Sequence, residues 1–299
     1  MNEASFFSQT SGDPALSRVL SEIDRLGLNT ELMTLETEGY VILRGVLSAK
    51  HIERATAAIQ RRVEGEVGKE IDLQTATAED FENMAYVPYM LYDDEVFEEI
   101  LMLEKPLALM TYLLGESCLL SSIGCHFKGM GEMGVLPLHS DNGNGIPQPF
   151  PPHSLCANIN YALTPYSKEE GALAIVPRSH KLARSPTVPE MSLSGDSANP
   201  DALAMDLNPG DAVIWHGNTW HGSFPRQVPG IRVNLAVFFA RQFVVTQEQH
   251  KGVVPQAVLE RHADDERFLN LLAGKQPYGW QAEGPDYAVM AKAPRGLFD

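Results

Sequence analysis

Residues 231–239 read IRVNLAVFF. Arg232, Asn234 and Ala236 alternate with Val233, Leu235 and Val237, the period-2 pattern of a strand whose two faces meet different surroundings. Upstream, runs of similar length recur between Gly, Pro and Asn: CLLSSIGCHF (118–127), GVLPLHS (134–140), LCANINYAL (155–163), GALAIV (171–176) and DAVIWH (211–216). Short strands punctuated by turn residues predict an antiparallel sandwich or barrel over residues 117–245.

The chain before this region has a helical texture. Asp13 and Pro14 predict a helix start, as N-cap and first helical residue, with Leu16, Val19, Leu20, Ile23 and Leu26 following at helical spacing. GYVILRG (39–45) predicts a strand, and Ser48 the cap of a second helix carrying Ile52, Ala55, Ile59 and Val63 on one face. Asp94 to Leu114 predicts two helices interrupted by Pro106, the second stopped at Gly115. The expected architecture is mainly β with flanking helices. A single domain spans 1–299, with a helical layer in 1–115, a β core in 117–245 and a C-terminal extension in 246–299 that holds a short helix near Ala257–Arg261.

Composition narrows the function. Lys and Arg number 23 against 39 Asp and Glu, a net charge of −16, which leaves no footprint for nucleic acid or an anionic membrane surface. No run approaches the ~20 apolar residues that span a bilayer. MNEASFFSQTSGDP lacks a basic n-region, so no secretory signal is read. Cys118, Cys125 and Cys156 form no C-x-x-C pair. A cytoplasmic protein acting on a small molecule is expected, and the sequence leaves a homo-oligomer open.

The chemistry sits in LPLHSDNGNG (136–145). His139 and Asp141 are spaced i, i+2 and would share one face of a strand, where an imidazole and a carboxylate can grip one metal ion. NTWHGSFPR (218–226) supplies a third ligand in His221, near the end of another predicted strand; His216 is the alternative. Two histidines and one carboxylate on a β scaffold describe the facial triad of non-heme Fe(II) oxygenases. Arg232 follows eleven residues after His221, a distance that suits a turn and a return on the neighbouring strand. Either Arg232 and Asn234 face solvent, or they face the barrel interior, where the guanidinium needs a carboxylate partner.

These residues resemble the phytanoyl-CoA dioxygenase family of Fe(II)/2-oxoglutarate oxygenases. The resemblance runs from LETEGYVILRGVLS (35–48) through the H-x-D at His139 and Asp141, GALAIVPRSHK (171–181) and GDAVIWHGNTWHGS (210–223) to Arg232. It implies a double-stranded β-helix, or jelly-roll, core of the cupin kind. It implies Fe(II) held by His139, Asp141 and His221, 2-oxoglutarate as cosubstrate, and O2. The distal carboxylate of 2-oxoglutarate falls to Arg232 with Ser223, and Asn158 takes a place where some members contact the cosubstrate. Some members add an upstream lysine; NMAYVPYMLYDDEV (83–96) has none, so that contact is absent or replaced by a tyrosine. Arg178 stands where the family has glycine. With Asp141 present, halogenation is disfavoured.

The implied reaction oxidises, as a hydroxylation, a C–H bond of a small to mid-sized, largely apolar metabolite of lipid-like, terpenoid or polyketide type, releasing succinate and CO2. The proline-rich NGIPQPFPPHS (144–154) is expected to form a stiff wall with Phe150 near its tip. Tyr89 and His126 are further expected substrate contacts, unless these aromatic residues only pack the helical layer. A jelly-roll metalloprotein with non-redox lyase or isomerase activity and a non-catalytic binding module are the rival classes.

Overall fold

The computed structural model describes residues 14–273, 280–281, 283–291 and 296–299. The helices α1 (Pro14–Arg25), α2 (Asn29–Glu38), α3 (Ala49–Val67), α4 (Glu95–Leu101) and α5 (Glu104–Leu114) precede the main run of strands. The strands are β1 (Tyr40–Leu43), β2 (Tyr86–Val87), β3 (Leu119–Lys128), β4 (Leu136–His139), β5 (Cys156–Ala162), β6 (Leu173–Ile175), β7 (Leu203–Ala204), β8 (Ala212–His216), β9 (His221–Ser223) and β10 (Arg232–Ala240). A short helix, α6 (Gln256–Arg261), follows in the C-terminal extension. Among the described residues no helix is long and apolar enough to cross a membrane.

Local chemistry explains the helix ends. Ser48 Oγ accepts from the His51 amide at 3.2 Å and starts α3. Asp94 accepts from the Val96 amide at 3.0 Å and starts α4. The expected break near Pro106 falls upstream, at Met102 and Leu103; Pro106 sits in the first turn of α5, where no intrahelical N–H is lost. Asp13 lies outside the described residues. The sequence reading missed α2, whose NTELMTLETE buries only Leu32 and Leu35 and so carries little helical periodicity.

Two sheets face each other. The larger runs β1-β8-β5-β10-β3-β2 and the smaller β4-β9-β6-β7, a jelly roll with helices against the outside of the larger sheet. Strand alternation sorts the side chains. Ile123, Cys125 and Phe127 of β3, Ile159 and Tyr161 of β5, and Val233, Leu235, Val237 and Phe239 of β10 point outward into a common core with Ile59, Phe97, Ile100 and Leu109 of the helices. The alternate residues point inward and line a cavity.

Asp211 ties the helical side to the barrel. It is 4% exposed; Oδ1 accepts from the Gly45 amide at 2.8 Å, and Oδ2 from Arg44 at 2.7 Å and the Asn208 amide at 2.9 Å. Burial opposes its charge, but these donors outweigh burial and hold its carboxyl below the ordinary 3.8. Its stabilisation is therefore present above the unfolded carboxylate pKa and lost as pH falls below it. Asp211→Ala should lower stability at neutral pH by about 1–3 kcal/mol through unsatisfied amides. Urea unfolding should show a lower midpoint at unchanged slope, and a gap from wild type that narrows in acid.

Candidate active site

β4 and β9 pair antiparallel with His139 directly opposite His221, and a bulge between Leu136 and His139 bends the strand there. Gly222 permits the approach: a Cβ on it would lie 2.7 Å from the Leu136 carbonyl oxygen. Asp141 is not on the strand, as the i, i+2 reading expected, but on the 3₁₀ turn Asp141–Gly143 just beyond it. His221 does not close the strand DAVIWH; it opens a separate strand in the other sheet. Both departures still bring the three side chains together. His221 Nε2 is 3.7 Å and His139 Nε2 4.0 Å from Asp141 Oδ1.

The far side of each imidazole is fixed. Nδ1 of His139 faces the Pro137 carbonyl and Nδ1 of His221 the Thr219 carbonyl, each at 3.0 Å. A proton on Nδ1 in each leaves both Nε2 lone pairs aimed at one point. Burial pushes His221 down to about 4, more than the Asp141 charge raises it, so the ring is in the neutral, ligating form. Asn158 Nδ2 donates to the second Asp141 oxygen at 2.9 Å. The donor atoms of His139, Asp141 and His221 lie within 4.8 Å of one another, a donor set that fits one divalent transition-metal ion with coordination positions left open.

Arg232, Tyr166, Asn234 and Ser223 line the same cavity. Arg232 opens β10 directly opposite Lys128 of β3, and both are buried. The Arg232 guanidinium lies 4.2 Å over the Tyr166 ring, with one Nη donating to the Gly171 carbonyl and the other to Asn234 Oδ1 at 3.0 Å. Lys128 Nζ donates to the Gly134 carbonyl at 2.6 Å and to Ser223 Oγ at 2.9 Å. Among the described residues no carboxylate pairs with either cation. Burial, and then Arg232, press Lys128 down to about 7. Arg232 Nε, Asn234 Nδ2 and Asn160 Oδ1 are buried without a hydrogen-bond partner. Two basic side chains with two unspent donors beside them, Arg232 Nε and Asn234 Nδ2, are groups that fit an anion.

Lys128 and Tyr166 escaped the sequence reading. The lysine sought upstream is one residue past the end of CLLSSIGCHF, and the alternation Ser122, Gly124, His126, Lys128 would have placed it on the inner face.

The remaining expected residues divide. Arg232, Ser223, Asn158 and His126 all line the cavity, which measures about 340 Å³. Asn158 is hydrogen-bonded to Asp141, so its amide orients a carboxylate of the triad. Phe150 is a correction: it is 3% exposed and faces a neighbouring cavity beside Leu35, Tyr112 and His216, because its amide is tied to the Ala183 carbonyl at 2.7 Å. Tyr89 is another: it lies outside the cavity lining, its amide bound to buried Glu248 at 2.6 Å. His216 has both ring nitrogens engaged, Nδ1 by the Asn218 amide at 3.0 Å and Nε2 facing the Pro152 carbonyl at 3.2 Å, away from Asp141. Arg178 keeps the conformation a glycine would take, φ +65°, with its side chain on Glu38 at 2.9 Å.

The family model for phytanoyl-CoA dioxygenase matches residues 35–234. The chain belongs to the phytanoyl-CoA dioxygenase family of Fe(II)/2-oxoglutarate-dependent oxygenases. Dioxygenase af480 of Aspergillus fumigatus is 28% identical over 218 residues, 70% of this chain and 65% of that protein. Dioxygenase FrzG of a Cladobotryum species is 27% identical over 113 residues, 38% of this chain and 36% of that protein. The chain thus spans less than two thirds of the length of these relatives. HygX of Streptomyces hygroscopicus, solved with nickel and 2-oxoglutarate, superposes with a TM-score of 0.58 at 18% identity over 73% of this chain and 88% of that one. The epimerase SnoN of nogalamycin biosynthesis superposes with a TM-score of 0.51 at 19% identity over 73% and 84%. At these identities the likeness is one of fold.

His221→Ala should release the metal, whereas His216→Ala should keep it. Metal content of Fe(II)-loaded protein after anaerobic desalting checks this. Retention in His221→Ala with loss in His216→Ala would reverse the ligand assignment.

Proposed function

We propose that the protein oxidises a C–H bond of an uncharged, mid-sized metabolite, as a hydroxylation, consuming 2-oxoglutarate and O2 and releasing succinate and CO2. One oxygen atom enters the product and the other enters succinate. The observation that carries the reading is buried Arg232, which lines the same cavity as the triad, stands opposite buried Lys128 of β3 and forms no ion pair with a carboxylate among the described residues.

His139, Asp141 and His221 would hold Fe(II), and Asn158 keeps the Asp141 carboxylate turned toward it. When bound, Fe(II) with 2-oxoglutarate supplies the oxidising chemistry. The protein's own part is positional. Arg232 receives the distal carboxylate of 2-oxoglutarate with its free Nε, Asn234 offers its free amide N–H, and Ser223, which donates to the Gly134 carbonyl, holds the Lys128 ammonium beside them. Tyr166 holds the guanidinium plane. Trp215, Leu173 and Phe238 keep water from the reacting atoms.

The cavity supports a substrate without charge. Its described lining holds Asp141 and Arg232 as the charged groups, and among the described residues no further Lys or Arg lines it to receive the phosphates of a CoA thioester. The walls mix Leu136, Trp215 and Phe238 with Ser122, Asn144, Asn160 and Gln247, which suits an apolar skeleton bearing a few polar groups. A lyase or isomerase of non-redox type, or a binding module, has no need of a site for 2-oxoglutarate beside the metal triad.

Arg232→Lys keeps the charge but loses the planar fork. It should weaken 2-oxoglutarate binding about 10- to 150-fold, the loss of about 1.5–3 kcal/mol of charge-assisted contact. Fe(II) affinity should move far less. Anaerobic titration of 2-oxoglutarate, followed by the charge-transfer absorption of its Fe(II) chelate, measures both proteins; equal affinities would remove Arg232 from the cosubstrate site.

A further inference from the structure

The cavity has a second wall, opposite in character to the cationic floor. β2 is two residues long and pairs with the edge of β3, Tyr86 opposite His126 and Val87 opposite Cys125. From there the Tyr86 phenol reaches across the inner face of β3 into the gap that Gly124 leaves. A Cβ on Gly124 would lie 2.2 Å from the Tyr86 hydroxyl and 2.4 Å from its Cζ, so any larger residue would evict the ring. The phenol packs on His126 with centroids 4.6 Å apart and an interplanar angle of 40°. Ser122 donates to Gln247 Oε1 at 2.7 Å, which orients the Gln247 amide and leaves its N–H groups for another acceptor.

This wall is held in place. Glu248 is 2% exposed; its two oxygens accept from the Tyr89 amide at 2.6 Å and the Ile123 amide at 3.2 Å, joining the Tyr86 segment to β3. The Gln247 backbone amide is fixed to Ser121 Oγ at 3.0 Å. Every group the wall offers is neutral. Burial, and then Arg232, push His126 down to about 4, and burial pushes Tyr86 up to about 12. With 2-oxoglutarate seated on Arg232 and Glu248 committed to the Tyr89 and Ile123 amides, a charged ligand would lose its hydration here with no free counter-ion in return. An aromatic face with hydrogen-bonding edges suits a flat ring that carries oxygen.

We propose that Tyr86, seated on Gly124, is the specificity-determining residue of this site, and that it reads the face of an uncharged, oxygen-bearing ring system. His126 and the Gln247 amide supply the hydrogen bonds to that ring's oxygens, and Ser122, whose proton is spent on Gln247 Oε1, fixes that amide. The proposal rests on the reading of the cavity as a metal and 2-oxoglutarate site.

The test uses anaerobic protein loaded with Fe(II) and 2-oxoglutarate, and three probes of similar shape at neutral pH: 2-naphthol, 2-naphthoate and protonated 2-(aminomethyl)naphthalene. Binding is read by ligand-observed NMR, with 2-oxoglutarate affinity measured in parallel by its chelate absorption. Wild type should prefer 2-naphthol to either charged probe by about tenfold or more. Tyr86→Ala and Gly124→Ala should each lose about tenfold for 2-naphthol while 2-oxoglutarate affinity stays within about twofold. Wild-type protein that holds 2-oxoglutarate yet binds a charged probe as well as 2-naphthol, or fails to bind 2-naphthol, overturns the proposal. So does unchanged 2-naphthol affinity in both variants. Failure of wild type to bind 2-oxoglutarate at all is a separate outcome that overturns the underlying reading and the proposal with it.

Discussion

Two like charges lie side by side inside this barrel. Arg232 and Lys128 are paired across β10 and β3 in a register that the alternation of both strands enforces, so neither can turn outward without moving a core residue into the cavity. Backbone carbonyls, a serine and the face of a tyrosine engage part of their capacity, but among the described residues no carboxylate forms an ion pair with them. In a low-dielectric interior such an arrangement is costly unless an anion arrives. An anion from outside the chain would relieve that cost, and on the proposed reading the triad in the Arg232 cavity would give it a second anchor.

The triad depends on a different device. His139 and His221 come from opposite strands of the smaller sheet, and Asp141 from the turn beyond. Their alignment relies on fixed contacts behind them: two backbone carbonyls set the imidazoles and Asn158 sets the carboxylate. Metal ligands whose outer atoms are already engaged lose little freedom on binding. The larger sheet supplies the anion site and the smaller sheet the metal site, so closure of the jelly roll is what places them in one cavity.

Much of this was legible in the sequence. The runs located β3, β4, β5, β6, β8 and β10 to within a residue or two but not the shorter β7 and β9, and Ser48, Asp94 and Gly115 marked helix ends through side-chain and glycine chemistry that is local in sequence. What lay out of reach was long-range. The i, i+2 rule applied to His139 and Asp141 assumed a strand running through both residues, whereas β4 ends at His139, and only a turn of suitable shape preserved the outcome. Nothing periodic in the proline-rich stretch around Phe150 tells which of two neighbouring cavities its ring enters. Asn158 was recognisable as an inward residue, yet its partner, Asp141, is set by how the two sheets close. Lys128 is legible in the alternation of β3, downstream of the stretch 83–96 in which a lysine is expected.

The paired cations bind, on this view, the distal carboxylate of a 2-oxo diacid whose other end reaches the triad metal. The most direct measurement compares the affinity of the anaerobic Fe(II) protein for 2-oxoglutarate and for 2-oxopentanoate, which keeps the chelating 2-oxo acid end and lacks the second carboxylate. The expected result is 2-oxopentanoate binding weaker by about 100-fold, in line with roughly 3 kcal/mol for a charge-assisted contact. Equal affinity for the two acids would contradict a role for the cations in holding the diacid.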